Sequence, residues 1–499
     1  MKYLLYFYTS FNQKFLGSLL DEAISLSKDK NNEVYFAYCG GVNEICVFNN
    51  KGSKPVCKLC SLCTKRIISK YGIKAISLKD YIPHSITSVK FDYKNAEELR
   101  DIRYKGVNIG MSIMSTFISS TRNMSPLIND EARRFFDAHL DQNVRFVESL
   151  YALVDEIKPD YIYGYNGRFE DSRPVYDICK ELKINSRLTE DDKVDGVSNL
   201  LVYENHLPHD IDYFVERRDY CWDHYQLSNE EKIELGKSFY IKRRGGLPSG
   251  DVEIYIKNQH EGYIPEFDDS KINIAIMNSS EDEYAAVGGE WDDLKFFKTQ
   301  YEGIIYLLEN APSNVHFYLR IHPNLRKIKY RYHLDLITLG EKYSNITVIP
   351  ASSEMSTYTI MEYADKIVVF GSTMGIESSY WGKPSILLGP ATYYYDDLSY
   401  IPETREELIS MLTEDLKPKF NENIYRFGAY TLDKSPLYKK YVNIDSTIEE
   451  RKFLGFKFHT TPFMSLWYNE YFTNLVIGIG RALTDNMLFW RYKTPLIEE

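Results

Sequence analysis

Three short polar clusters in the second half of the chain each stand directly after an apolar run. Asn278-Ser279-Ser280-Glu281-Asp282-Glu283 follows residues 272–277. His322-Pro323-Asn324 follows 315–321, with Arg320 just ahead of it. Gly371-Ser372-Thr373-Met374-Gly375-Ile376-Glu377 follows 366–370. The residue types suit an anion. In the third cluster, glycines let a backbone approach a ligand closely, and two hydroxyls stand where a helix begins. Free N–H groups and the helix dipole there favour a phosphate. Glu377, one turn on, is placed to accept hydrogen bonds from ribose hydroxyls. His322, before a proline at a strand end, suits phosphate contact and the neutralisation of a leaving monophosphate or diphosphate. Each cluster has an ordinary reading as well. Ser372 and Thr373 are common helix caps, His322 suits a core histidine held by a carbonyl, and Arg320 suits an ion pair with Glu362. Three such clusters at one rim of one sheet weigh against three unrelated caps.

The first half holds a second group. Asn166-Gly167-Arg168 follows the apolar run 161–165, with Asp171 and Arg173 close behind; a strand–helix turn with Gly167 at positive φ is the competing reading. Glu190 opens the acidic run Glu190-Asp191-Asp192 after an expected strand at 184–188. A carboxylate within ~3 Å of a hydroxyl can serve as a general base, although a solvated charge run explains the same residues. Cys57, Cys60 and Cys63, preceded by Cys39 and Cys46, have thiolate spacing that suits structural zinc or an iron–sulfur cluster. Reduced loop cysteines are the other reading. Asp210-Ile211-Asp212 has only the outline of a metal-binding acid pair.

These residues need elements to position them. Apolar runs at 3–8 and 34–38 read as strands, 16–27 as a helix, 135–157 as a long helix ended by Lys158-Pro159, and 161–165 as a strand. In the second half, strands at 272–277, 315–321, 346–349, 366–370 and 385–388 alternate with helices, including one expected over 291–309 and another over 334–343. This rhythm predicts doubly wound parallel sheets with covered faces. Arg243-Arg244-Gly245-Gly246-Leu247-Pro248-Ser249-Gly250 is the best linker signal. The expected class is α/β, with two Rossmann-like doubly wound domains facing a central cleft. The first spans 1–245, the second 246–430, and a helical segment, 431–499, packs back on the first.

Arg320-Ile321-His322-Pro323-Asn324, the 371–377 cluster and Gly382-Lys383-Pro384-Ser385 together resemble bacterial glycosyltransferases of the GT-B fold, more narrowly those of capsule and lipopolysaccharide biosynthesis. The His-Pro and Ser-Thr pairs are similar to those of sialyltransferases and Kdo transferases. The stretch 279–283 and Asn166-Gly167-Arg168 resemble the same capsule-associated group. The resemblance implies a nucleotide-sugar donor, CMP-linked by preference over UDP- or GDP-linked, on the second domain. It would be held by Ser279, Ser280, Arg320, His322, Ser372, Thr373, Gly375 and Glu377, with Ser356 and Thr357 near the base. It implies a glycan or lipid-linked saccharide acceptor on the first domain, met by Asn166 and Arg168. Transfer needs no metal, and Glu190 is the first choice of base. The rivals are a GT-B-fold sugar-nucleotide epimerase and a non-catalytic glycan- or nucleotide-binding subunit of a capsule assembly complex.

Composition narrows the class. The chain has 499 residues, 44% hydrophobic and 26% charged, which excludes a disordered or collagen-like chain. A net charge of −11 argues against broad nucleic-acid binding. Seven cysteines, odd in number, read as reduced and cytoplasmic. No apolar run approaches the ~18–20 residues of a membrane span, and the apolar N-terminus reads as a buried strand. The aromatic share, 15%, is spread over the expected domain cores, with a local concentration in the tail at 451–499. A helix bracing the first domain explains the tail better than peripheral membrane contact does, because few cations flank Trp467 to Trp490.

Overall fold

The computed structural model describes residues 1–10, 13–49, 52–86, 89–194, 197–247, 259 and 266–438. Of the expected tail segment, 431–499, residues 439–499 lie outside the described residues, as do 248–250 of the linker signal.

The chain divides into two compact units, one built on Met1–Pro208 and the other on His209–Leu437. The first holds a six-stranded sheet: β1 (Lys2–Tyr6), β2 (Glu33–Tyr38), β3 (Lys74–Ser77), β4 (Tyr161–Tyr165), β5 (Asn185–Val194) and β6 (Val197–Glu204), in the order β3-β2-β1-β4-β5-β6. Every pairing is parallel except β5 with β6. Parallel strands covered on both faces read as continuous apolar runs, and Leu4, Leu5 and Phe36 are accordingly fully buried. The longest helix, Asp130–Ile157, begins earlier than its apolar spacing suggests. Asn129 caps it by accepting from the Glu131 and Ala132 amides, and Asp130 and Glu131 complement its dipole.

The second unit holds β7 (Ile272–Met277), β8 (Val315–Arg320), β9 (Ile346–Ile349), β10 (Lys366–Val369) and β11 (Ser385–Leu387), all parallel in the order β11-β10-β7-β8-β9. Two expected helices are broken. In place of one over 291–309 stand Glu290–Asp293 and Gln300–Asn310, because Thr299 starts a new helix by accepting from the Glu302 amide. In place of one over 334–343 stand Arg331–Ile337 and Leu339–Lys342.

Both units are therefore Rossmann-like and doubly wound, the composition expected of a GT-B chain. In each sheet the first strand of the unit lies beside the fourth, β1 by β4 and β7 by β10, so the winding reverses between them. The division falls after Pro208, where the linker signal placed it at 245/246. The helices Ile211–His224 and Asn229–Arg244 explain this, since they pack within the second unit. Tyr240 donates to the Ile424 carbonyl at 2.7 Å, and Arg218 pairs with Asp396 in a buried contact. Among the described residues, no helix is long and apolar enough to cross a membrane.

Candidate functional site

Open α/β sheets bind ligands beyond the carboxyl ends of their strands, where the winding reverses. In the second unit that place lies between β7 and β10, and three loops are tied together around it. Ser279 donates from its amide to Gln300 Oε1 at 2.8 Å and from Oγ to the Phe370 carbonyl at 3.3 Å. These bonds join the β7 loop to the β10 loop. Asn278 Oδ1 accepts from the His322 amide at 2.8 Å, joining the β7 loop to the β8 loop. Asn324 extends the join through Ser280 Oγ at 3.3 Å, and Ser280 Oγ donates to Asp282 at 2.7 Å. His322 Nδ1 accepts from the Asn324 amide at 3.2 Å, which leaves the proton of a neutral ring on Nε2. Gly371 has φ +104°, and a Cβ there would come within 2.3 Å of the Pro390 carbonyl oxygen, so only glycine makes this turn. Ser279, Ser280 and His322 are thus brought together, and the Ser279 bond to the Phe370 carbonyl ties them to the loop that carries Ser372. Beside them, burial pushes the Glu281 carboxyl up to about 7 against the opposing charge of Lys295.

Other expected members have different work. Glu377 is fully buried. Its Oε1 accepts from Arg243 Nε at 2.9 Å, and its Oε2 from the Tyr358 hydroxyl. Both carboxylate oxygens are engaged, so the ribose role gives way to an internal ion pair. Arg243 also donates to Thr373 Oγ1 at 3.1 Å, and Thr373 makes no side-chain cap. The following helix, Met374–Tyr380, has only seven residues, too few for the dipole argument. Gly375 makes room for the Tyr393 hydroxyl, which a Cβ would meet at 2.2 Å, rather than for a ligand. Arg320 is 2% exposed and donates to the Pro350 and Ser353 carbonyls at 2.6 and 3.0 Å. Burial lowers its guanidinium to about 10, and Glu362 pairs with Arg244 instead. Arg320 therefore shapes the loop after β9. Ser356 caps the helix Thr357–Tyr363 by accepting from the Tyr358 amide at 3.2 Å, and Thr357 donates to Gln259.

In the first unit, Asn166, Arg168 and Glu190 come together. Asn166 donates to Glu190 Oε1 at 2.5 Å and accepts from the Arg168 amide at 3.2 Å. Glu190 lies within β5, not after a strand, because β5 runs on past β4 to pair with β6. Burial pushes its carboxyl up to about 7, with Asp191 adding and Asn166, Tyr165 and Arg168 opposing. Asp171 is raised likewise to about 7 by burial and by Glu170. Glu170 in turn holds His139 at 2.7 Å.

Cys57, Cys60 and Cys63 do not converge as a ligand set. They sit on one helix, Lys54–Lys70, and among the described residues no three His, Cys, Asp or Glu side chains are arranged to hold a metal ion. Burial raises the Cys57 thiol, and raises Cys63 to about 11, which disfavours the thiolate a metal needs. The Asp210-Ile211-Asp212 stretch starts a helix whose first amides donate to Glu290.

Sequence reasoning missed Arg243 and Gln300. Arg243 was hidden in a linker signal, and Gln300 inside a helix expected to be unbroken.

No family model matches the chain, and no curated protein matches it. Among solved structures, two of Thermosulfurimonas dismutans KpsC are similar in part. Its beta Kdo 2,4 transferase is 15% identical over 54% of this chain and 78% of its own, with a TM-score of 0.33. Its beta Kdo 2,7 transferase is 16% identical over 62% and 90%, with a TM-score of 0.34. UDP-GlcNAc 2-epimerase from Neisseria meningitidis is 12% identical over 91% and 100%, with a TM-score of 0.23. At these identities and scores no residue's role carries across.

Proposed function

We propose that this protein is a glycosyltransferase that moves a sugar from a nucleotide-activated donor to a surface polysaccharide or glycolipid acceptor. The observation that supports this reading is that the loops carrying Ser279 and Ser280, His322, and Ser372 are hydrogen-bonded together where the winding of the second sheet reverses. Hydroxyls and an imidazole on three tied loops suit the phosphate of a nucleotide. His322, at the end of β8 and held through its backbone amide by Asn278, brings an imidazole suited to a leaving phosphate oxygen. The Arg243–Glu377 pair holds the Ser372-Thr373 loop in place without touching the ligand. The loop after β9, shaped by Arg320, is the base side. A CMP-linked donor is favoured on the sequence resemblance.

The first unit takes the acceptor. Glu190 is its base, and Asn166 and Arg168 orient the sugar. A carboxyl raised to about 7 is half ionised near neutrality, where a general base is most effective. The same acids, Glu190 and Asp171, also suit a sugar-nucleotide epimerase, which works by moving protons on the donor sugar. Incubation with CMP- and UDP-linked sugars, read by chromatography, separates the two. Release of free nucleotide that rises with added oligosaccharide supports transfer. Conversion of the intact sugar nucleotide to an epimer, with no acceptor dependence, overturns it.

A further inference from the structure

The described residues of the first unit enclose a cavity of about 30 Å³ beyond the carboxyl ends of β1 and β2. At the ~10–15 Å³ that one water position requires, it holds two or three water-sized groups, too few for a sugar ring. Its walls are mainly apolar. Phe48, Val56 and four thiols, Cys39, Cys46, Cys57 and Cys60, face it. Burial raises the Cys57 and Cys46 thiols and pushes Cys39 up to about 12, so these three stay neutral at physiological pH. Neutral thiols behave as small hydrophobes. The walls are braced. Gln142, on the long helix, donates to the Ile45 carbonyl at 2.8 Å and accepts from its amide at 3.1 Å. Asn49 donates to the Glu44 and Ser53 carbonyls at 3.0 and 3.1 Å and to Cys57 Sγ at 3.1 Å. One polar group on the wall is unused. Asn43 is 3% exposed, and its Oδ1 has no hydrogen-bond partner among the described residues. A buried carboxamide left unpaired costs about 1–3 kcal/mol, which a ligand donor would recover.

We infer that this cavity is a subsite for an N-acyl group, the acetamido substituent of an amino sugar, with its methyl among the thiols and its N–H donating to Asn43 Oδ1. A small apolar volume next to a buried amide acceptor matches that group. A hydroxyl fills neither the volume nor the apolar wall, and an ammonium would be stranded among neutral thiols. The inference deepens the transferase reading: it rests on that reading for the role of the sugar as acceptor, and it makes the acceptor an N-acylated amino sugar. The cavity chemistry stands on the first unit alone.

Saturation-transfer NMR on the full chain, without any nucleotide, tests it. The probes are N-acetylglucosamine, glucosamine and glucose at equal concentration. The acetyl methyl should receive the strongest saturation, and the two sugars without it should bind about tenfold more weakly, the worth of one apolar group with its hydrogen bond. Cys60→Phe, which fills the cavity, and Asn43→Leu, which removes the acceptor, should each abolish the methyl signal in protein of unchanged melting temperature. Equal saturation of all three sugars overturns the inference, as does a methyl signal that persists in both variants. The ligand comparison needs no variant, so a variant that fails to fold leaves the test intact. Protein that binds a nucleotide but shows no acetyl signal loses this inference and keeps the transferase reading. The opposite pattern keeps the subsite and loses the donor.

Discussion

Glu377→Ala tests the buried pair that holds the Ser372-Thr373 loop. Arg243 is 6% exposed and Glu377 fully buried, and Arg243 Nη1 already lacks a hydrogen-bond partner among the described residues. Without the carboxylate, the guanidinium keeps its contact with Thr373 Oγ1, and the Tyr358 hydroxyl loses its acceptor. Removing one partner of a buried pair costs about 3–5 kcal/mol, because the other charge is left uncompensated. For a unit the size of His209–Leu437 this corresponds to a melting temperature roughly 6–20 °C lower. Replacing both charges with apolar side chains, Arg243→Met with Glu377→Leu, should recover most of the loss, and the cycle isolates the coupling. Urea denaturation followed by tryptophan fluorescence is the assay, since Trp222, Trp291 and Trp381 all lie in the second unit. A single-variant cost below about 1 kcal/mol, the value of an exposed pair, would refute the reasoning. So would a double variant no more stable than the single.

Further tests follow from the same geometry. Glu190 titrates near 7 when folded and near 4.5 when unfolded, so the folded state holds a proton that the unfolded state has released between those values. Its contribution therefore lowers stability as pH rises from about 4.5 to 7. Glu190→Gln should remove that slope, leaving the variant better off relative to wild type at pH 8 than at pH 4 in denaturation curves. If Glu190 is the base, kcat/KM should climb to a plateau above about pH 7, and Glu190→Gln should cut it about 100-fold or more at the plateau. A flat profile in wild type counts against that role. Gly371→Ala should destabilise the second unit by about 2 kcal/mol or more, through positive φ and the approach to Pro390. Calorimetry showing no change would mean that the loop relaxes freely.

The strands were legible because buried parallel strands are near-continuous apolar runs, and 272–277, 346–349 and 161–165 fall where hydropathy puts them. The polar residues just past those runs, Ser279, His322 and Asn166, were legible for the same reason: a strand's end fixes where its loop faces. Helix breaks were not. Thr299 looks like any mid-helix threonine until its hydroxyl is seen to cap Glu302. Partnerships distant in sequence were also hidden. Nothing local in Arg243 points to Glu377, 134 residues away, so Glu377 reads as a ligand contact when it is half of an ion pair. Glu190 was found for its acidity and misplaced by a few residues, because β5 runs on in antiparallel pairing beyond the parallel part of the sheet.

Nucleotide binding to the second unit is read by thermal shift of the full chain with CMP, CDP, UDP and GDP, with His322→Ala beside wild type. At a hundredfold excess over Kd a bound nucleotide stabilises by about 2.7 kcal/mol. Such a rise is expected for at least one of the four, CMP foremost, with its loss in His322→Ala at unchanged basal melting temperature. No shift with any nucleotide at millimolar concentration, or an equal shift in the variant, would contradict it.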